Sequence, residues 1–445
     1  MEAVMEWWSG HIVAPALPLL GAALGIALLW AKPQWFKIWA LVVFALTGLV
    51  VTVPSWMAES PLTISYFLRH LILAAGFLTI LGHHPDKDTS ISLCLTLLFA
   101  GLGLGVLAGQ DRESSIFLCG IFGLLILAFM RYRRQEWEIP WKAISLLTVG
   151  LFSLLVSLTV SEPVRIIMLI IPLAMVWPLL PIQGVFVASV SCLPGTLPPF
   201  FAVLLPSLGF HGIINLLPVI PEGVFYLLWM IAIASALYGS LLALSQDSMD
   251  LLLAYAHMAL GSIIWWYVSV THSIEPGAVV YLGGLTLVIC GLLVASQHLR
   301  ARFGHLDLTI SHGLAHIMPW FSMLFLLFIT AAVGLPIFTL FSAFMEMMLG
   351  LSSTGAGTLI IILLTWLMAS WYFPRLMQQV LFGRLSPSFK ASHDLHLDER
   401  VSLILLLILL VMIGSAPSHW FLAADTAVST AQSSFGILQD TLWKR

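Results

Sequence analysis

The sequence predicts an all-α protein that crosses a membrane about 13–14 times, with two crossings interrupted. Three observations predict it. Of 445 residues, 60% are apolar and only 9% are charged, whereas a soluble domain carries about 25% charged residues. Continuous apolar runs of bilayer length recur from end to end. Two regions, 164–217 and 334–352, set Pro and Gly inside such runs.

A transmembrane helix needs roughly 20 apolar residues. Such runs lie at 11–30, 36–54, 62–82, 90–109, 114–131, 142–160 and 164–181, then at 197–217, 222–245, 250–271, 276–299, 314–333, 356–382 and 400–423. They are continuous rather than alternating, which excludes a β-barrel. The first run has no basic segment before it and no small-residue cleavage site after it, so it is expected to stay in the mature protein. A net charge of −3 gives no footprint for nucleic acid. Cys94, Cys119, Cys192 and Cys290 are scattered within apolar runs without CxxC spacing, which reads as packing rather than as a disulfide or a metal site.

Basic residues orient the chain. Lys32, Lys37 and Lys87 follow the first and third runs; Arg131, Arg133, Arg134 and Lys142 follow the fifth. Arg300 and Arg302 follow the run at 276–299, and Arg375, Arg384, Lys390 and Arg400 surround the last links. All share one side, with the N-terminus outside, if 334–352 is a broken or re-entrant element, a half-helix that turns back. A full extra crossing there would put the late cluster on the wrong face.

Within 1–160, Arg69 and His70 sit in the middle of a run whose neighbours hold few polar residues. An intramembrane Arg marks function by default; the alternative is a side chain that snorkels to the interface or meets another subunit. Region 164–217 holds Pro172, Pro178, Pro181, Pro194, Pro198, Pro199 and Pro206. Several prolines in one segment predict a discontinuous helix, whose freed backbone groups sit where transporters bind ions. Farther on, Arg302-Phe-Gly-His-Leu-Asp-Leu308, Gly313-Leu-Ala-His-Ile-Met-Pro319 and Gly334-Leu-Pro336 precede Phe341 and Glu346.

These motifs resemble R-x-G-x-x-D-L, G-L-A-x-x-M-P and G-L-P-x-x-x-x-F of the antiporter-like membrane subunits of respiratory complex I and of Mrp-type sodium/proton antiporters. Trp177-Pro-Leu-Leu-Pro181, Leu204-Leu-Pro-Ser-Leu-Gly209-Phe-His-Gly212, Tyr238-Gly-Ser-Leu-Leu-Ala-Leu-Ser-Gln246, Leu252-Leu-Ala-Tyr255 and Ala369-Ser-Trp-Tyr-Phe-Pro-Arg375 extend the resemblance over about 165–385. It implies inverted-repeat halves, each with one discontinuous helix. Three segments are expected: an N-terminal bundle at 1–160, an antiporter-like core at 161–395 and a C-terminal helix and tail at 396–445.

The departures are in charge. Ser207 stands where the family has its central lysine, His211 where it has tyrosine, and Leu285 where it has histidine. The run Ile116–Leu125 lacks the family's glutamate, and Thr358–Met368 lacks its lysine or glutamate. A proton path needs titratable groups or ordered water. The candidates left are His211, His257, Asp250, His316, Glu346 and Arg69. Histidine suits a relay because its pKa lies near neutrality. His312 and His316 are four apart, which reads either as one helix face or as an interfacial pair. Asp250 reads equally as a helix-start carboxylate.

Gly101-Leu-Gly103-Leu-Gly105 lies inside an apolar run with no strand, so it reads as a packing surface and not as a dinucleotide loop. No cofactor or metal is expected, and no catalytic site within the chain. The resemblance implies a multi-pass inner-membrane subunit of a proton- or cation-translocating complex, with membrane and soluble partner subunits; any NADH chemistry would belong to those partners. Two alternatives keep the same fold: a non-conducting anchor, or the membrane partner of a soluble zinc protein in inorganic-carbon uptake.

Overall fold

The computed structural model describes residues 12–28, 33–57, 63–83, 89–132, 139–162, 164–304, 308, 313–349, 351, 356–383 and 393–415. Among the described residues the regular elements are all helical. They are α1 (Ala14–Leu28), α2 (Pro33–Met57), α3 (Ile64–Gly82), α4 (Thr89–Ala108), α5 (Asp111–Arg131), α6 (Ile139–Ser157), α7 (Val164–Val176) and α8 (Gly184–Ser191). There follow α9 (Leu197–Leu216), α10 (Glu222–Ser245), α11 (Met249–Thr271), α12 (Pro276–Phe303), α13 (Pro319–Val333), α14 (Thr339–Leu349), α15 (Ala356–Leu381) and α16 (Leu397–Ser415). With no water in a bilayer core, the backbone must satisfy itself, and helices do so within one segment. Nine of these helices are long and apolar enough to cross alone.

The shorter ones include two broken crossings. Helix α7 stops at Val176, where Pro178 and Pro181 cannot donate to a helical ladder, and α8 resumes at Gly184. Helix α13 stops at Val333. Gly334 there takes φ +85°, and the Leu335 amide donates back to the Thr330 carbonyl at 3.2 Å, a helix-closing turn that only Gly enters without strain.

The prolines of 164–217 interrupt the chain at 177–183 and 192–196, whereas α9 runs unbroken through Pro206. Proline is tolerated inside a membrane helix whose neighbours enclose it, and Leu205 and Ser207 are both fully buried. One expectation needs correction: 334–352 does not turn back. A Cβ on Gly291 would lie 2.1 Å from the Phe328 ring, on Gly284 2.9 Å from Thr339 Cγ2, and on Gly277 3.1 Å from Glu346 Cγ. Partner numbers rise steadily as α12 is followed backwards, so α13 and α14 form one antiparallel traverse of α12. The crossing is broken rather than re-entrant, and Arg131, Arg300, Arg302, Arg375 and Arg400 still fall toward one face.

Neighbour relations in α4–α9 recur in α10–α15. Helices α4–α5, α5–α6, α6 with α7 and α8, α4–α9 and α7–α9 pack together. Five crossings later, α10–α11, α11–α12, α12 with α13 and α14, α10–α15 and α13–α15 do the same. An odd number of crossings makes the second unit start from the opposite side, which is an inverted repeat. Helix α12 is buried along its whole spanning segment and packs on both units. The Gly101, Gly103 and Gly105 surface is a packing face, against Leu19, Leu204 and Phe117 respectively.

Polar side chains close the helix ends on the basic face. Asp394 accepts the Trp320 and Phe321 amides at 2.9 and 3.2 Å, capping α13. Arg375 donates to the Leu244 carbonyl at the end of α10, where a cation meets the negative end of the helix dipole. Asp394→Ala is expected to cost about 1 kcal/mol, read as a lower thermal midpoint of the detergent-solubilised protein.

Candidate functional site

The structure brings two of the candidate residues, His211 and His257, to either side of the first broken crossing. At about 1.5 Å per residue, His211 lies about 8 Å from the end of α9 and His257 about 12 Å from the start of α11. These two helix ends are on opposite faces, so the histidines flank the midplane from opposite sides.

Trp177, the first residue of the break, reaches toward α11 beside His257 and meets Phe210, the residue before His211. Its ring stacks on Trp265 at 4.4 Å and meets Phe210 edge-on at 5.5 Å. Small residues make the space: a Cβ on Gly209 would lie 2.4 Å from Trp177 Cβ, and one on Gly261 3.3 Å from the indole nitrogen. His257 is fully buried and packs at 4.8 Å against Phe186 of α8.

Asn215 Nδ2 donates to His211 Nε2 at 3.3 Å. His211 Nδ1, both His257 nitrogens and the indole nitrogens of Trp177 and Trp265 are buried with no hydrogen-bond partner among the described residues. Buried polar atoms are almost always satisfied by protein or ordered water. Four of these atoms lie at His257 and the Trp177–Trp265 pair, and the fifth, His211 Nδ1, lies on α9 beside Phe210. His211 also lines a cavity of about 50 Å³ with Asn215, Ser114, Ser115 and Arg165, toward the face opposite the basic clusters.

Arg69 is buried and turned inward, not snorkelling. Its Nη2 donates to the Leu107 carbonyl at the end of α4 at 2.9 Å, and its guanidinium lies 4.9 Å over the Tyr66 ring. It stands within electrostatic reach of His211.

The remaining candidates lie elsewhere. Asp250, in the first turn of α11, accepts from Ser296 and Arg300 of α12, both at 2.5 Å. Glu346 is half-buried on α14 against the start of α12. His316 is exposed and ends a 3-10 turn, Leu314–His316, ahead of α13, so the four-residue spacing is not carried on an α-helix; His312 lies outside the described residues. Ser207 donates to its own helix, at Val203.

Sequence reasoning missed a second group of charges on the basic face. Glu399 of α16 is 2% exposed and accepts from both terminal nitrogens of Arg302, at 3.1 and 2.5 Å, and from the His396 amide at 2.8 Å. His298 Nδ1 lies 3.4 Å from the same carboxylate. Lys37 of α2 pairs with Asp398 at 2.9 Å. The four-residue spacing of His298 and Arg302 was the available signal, since it puts both on one face of α12.

A helix bundle with two broken crossings in inverted halves defines a transporter-type membrane protein. The chain matches the family described as NADH:quinone oxidoreductase/Mrp antiporter, transmembrane part, over residues 114–369, more than half its length, and it belongs to that family. NADH-quinone oxidoreductase subunit M of Rickettsia prowazekii is 25% identical over 232 residues, 51% of this chain and 47% of that protein. Subunit N 2 of Opitutus terrae is 23% identical over 206 residues, covering 46% and 43%. The chain thus spans about half the length of the curated relatives it matches. A chain in respiratory complex I from Thermus thermophilus with bound NADH superposes with a TM-score of 0.79 at 19% identity, covering 94% of this chain and 98% of that one. One in the membrane-bound sulfane sulfur reductase, an archaeal respiratory membrane complex, gives 0.78 at 16% identity, covering 96% and 97%. At such identities the likeness shows the fold.

Proposed function

We propose that this protein is a proton-carrying membrane subunit of a multi-subunit respiratory-type complex in the inner (cytoplasmic) membrane, working beside other membrane and soluble subunits. Relatives described as NADH-quinone oxidoreductase subunits M and N support the setting. The carrying observation is the pair of buried histidines astride the α7–α8 break, with three of their four ring nitrogens unpartnered among the described residues. Each imidazole can take a proton on one nitrogen and release one from the other. Water along the Trp177–Trp265 pair would join them; Ser207, which donates only to its own helix, carries no charge to help. Redox chemistry is assigned to partner subunits, and the chain itself contributes the proton route.

A second reading has its own support. The stacked indoles of Trp177 and Trp265 pack the bundle beside His257, as suits a non-conducting anchor. Tagged protein purified with its partners and reconstituted in vesicles separates the two. Under the proton-carrying reading, His211→Ala or His257→Ala lowers proton flux about tenfold or more and leaves the co-purifying subunits unchanged. Unaltered flux in both variants favours the anchor.

A further inference from the structure

We propose that His83, His298 and Glu399, with the hydroxyls of Ser92, Thr196 and Thr96, form the proton entry site on the basic face; this rests on the proton-carrying reading above. The site lies where α3, α4, α12, α16 and the link between α8 and α9 meet. His298 is buried, its Nδ1 is 3.4 Å from Glu399, and its Nε2 has no partner among the described residues. An Arg302–Glu399 clamp alone needs no imidazole. The ring is instead given room at the end of α3: a Cβ on Gly82 would lie 3.7 Å from His298 Cε1 and 2.8 Å from Ser402 Oγ.

His83 follows directly, half-buried and within electrostatic reach of His298. Its Nε2 would be 3.8 Å from a Cβ on Gly195, whose φ of +67° turns the link that ends the first broken crossing. A buried hydroxyl chain starts at that same link. Ser92 and Thr196 hydroxyls are 2.9 Å apart, and those of Thr196 and Thr96 are 2.8 Å apart. Thr96 is fully buried, about 10 Å along α4 from its start. At rest Thr96 donates to the Ser92 carbonyl at 2.9 Å, and the chain passes a proton onward when that hydroxyl turns, since each hydroxyl both donates and accepts.

In the relay, the Glu399 carboxylate, ion-paired with Arg302 at rest, takes a proton from the basic face and passes it to His298 Nδ1, returning to the carboxylate. The imidazolium then releases the proton on Nε2 toward His83, leaving the other neutral tautomer and a charge-balanced site. The charged and titratable groups facing His298 are Glu399 and Asp398 from α16, Arg302 from its own helix and His83 from the end of α3. Lys37 acts from α2 by holding Asp398.

The test uses the complex in vesicles, with initial proton flux measured against the pH on the basic face. His298→Gln and His83→Gln are expected to cut flux about tenfold at neutral pH and to shift the pH profile on that face alone. Thr196→Val behaves alike, and Glu399→Asp retains flux. The proposal is overturned if His298→Gln and His83→Gln match the parent in thermal midpoint and keep its flux and profile. If His257→Ala abolishes flux while these variants do not, the entry site alone is wrong. If the parent carries no protons, the functional reading fails and takes the entry site with it. Glu399→Gln is omitted because loss of its pairing with Arg302 can unfold the protein.

Discussion

Arg302→Ala is expected to destabilise the protein by about 3–5 kcal/mol, the usual cost of breaking a buried ion pair from one side. Glu399 is 2% exposed and holds both terminal nitrogens of Arg302. Without them, a carboxylate at the start of α16 keeps only the His396 amide and His298 against its desolvation. The same carboxylate joins α16 to α12, the buried helix on which both repeats pack. The double variant Arg302→Ala/Glu399→Ala removes the stranded charge and is expected to recover part of the loss. Thermal unfolding of the four proteins in a double-mutant cycle gives the coupling. By contrast, Lys37→Ala breaks a pair whose Asp398 carboxylate is 36% exposed, and it should cost no more than about 1 kcal/mol.

Trp177→Ala is the second large effect. It deletes a fully buried ring that stacks on Trp265 and abuts Phe210. Loss of such a ring costs about 3–5 kcal/mol. The space opened lies beside Phe210 and Gly261 and faces the α11 side chains of His257 and Trp265, whose ring nitrogens have no partner among the described residues. A cavity lined by polar atoms takes up water, unlike an apolar one. The variant is therefore expected to leak protons in vesicles without any driving reaction. Trp177→Phe, which keeps a ring in place, should stay tight. A dry, proton-tight Trp177→Ala variant would show that the two histidines are not joined at this point.

Much of the fold was legible in the sequence. Each of the fourteen apolar runs corresponds to one crossing, because bilayer thickness sets a length that composition alone reveals. The Gly334-Leu-Pro336 break was legible because its glycine takes a positive φ. Which of the seven prolines in 164–217 interrupt the helix was not legible, since whether a proline breaks a membrane helix depends on the packing around it. The turn-back at 334–352 misled because charge parity is the same for a re-entrant half-helix and for a broken crossing. Of the site, His211 and His257 were found by being titratable and deep. Glu399 and His298 were missed, as both lie near helix ends where charges usually face water; only the approach of α16 to α12, where Glu399 meets Arg302 from 97 residues away in sequence, buries them. Asp250 looked available and is not, because Ser296 and Arg300 already hold both its oxygens.

The most direct measurement is a high-resolution cryo-EM map of the protein in its complex, read for ordered water around Trp177. The account predicts resolved waters at His211 Nδ1 and at the His257 nitrogens, continuing past the indole nitrogens of Trp177 and Trp265. Close-packed side chains against those atoms, with no water-sized density between the two imidazoles, would contradict it.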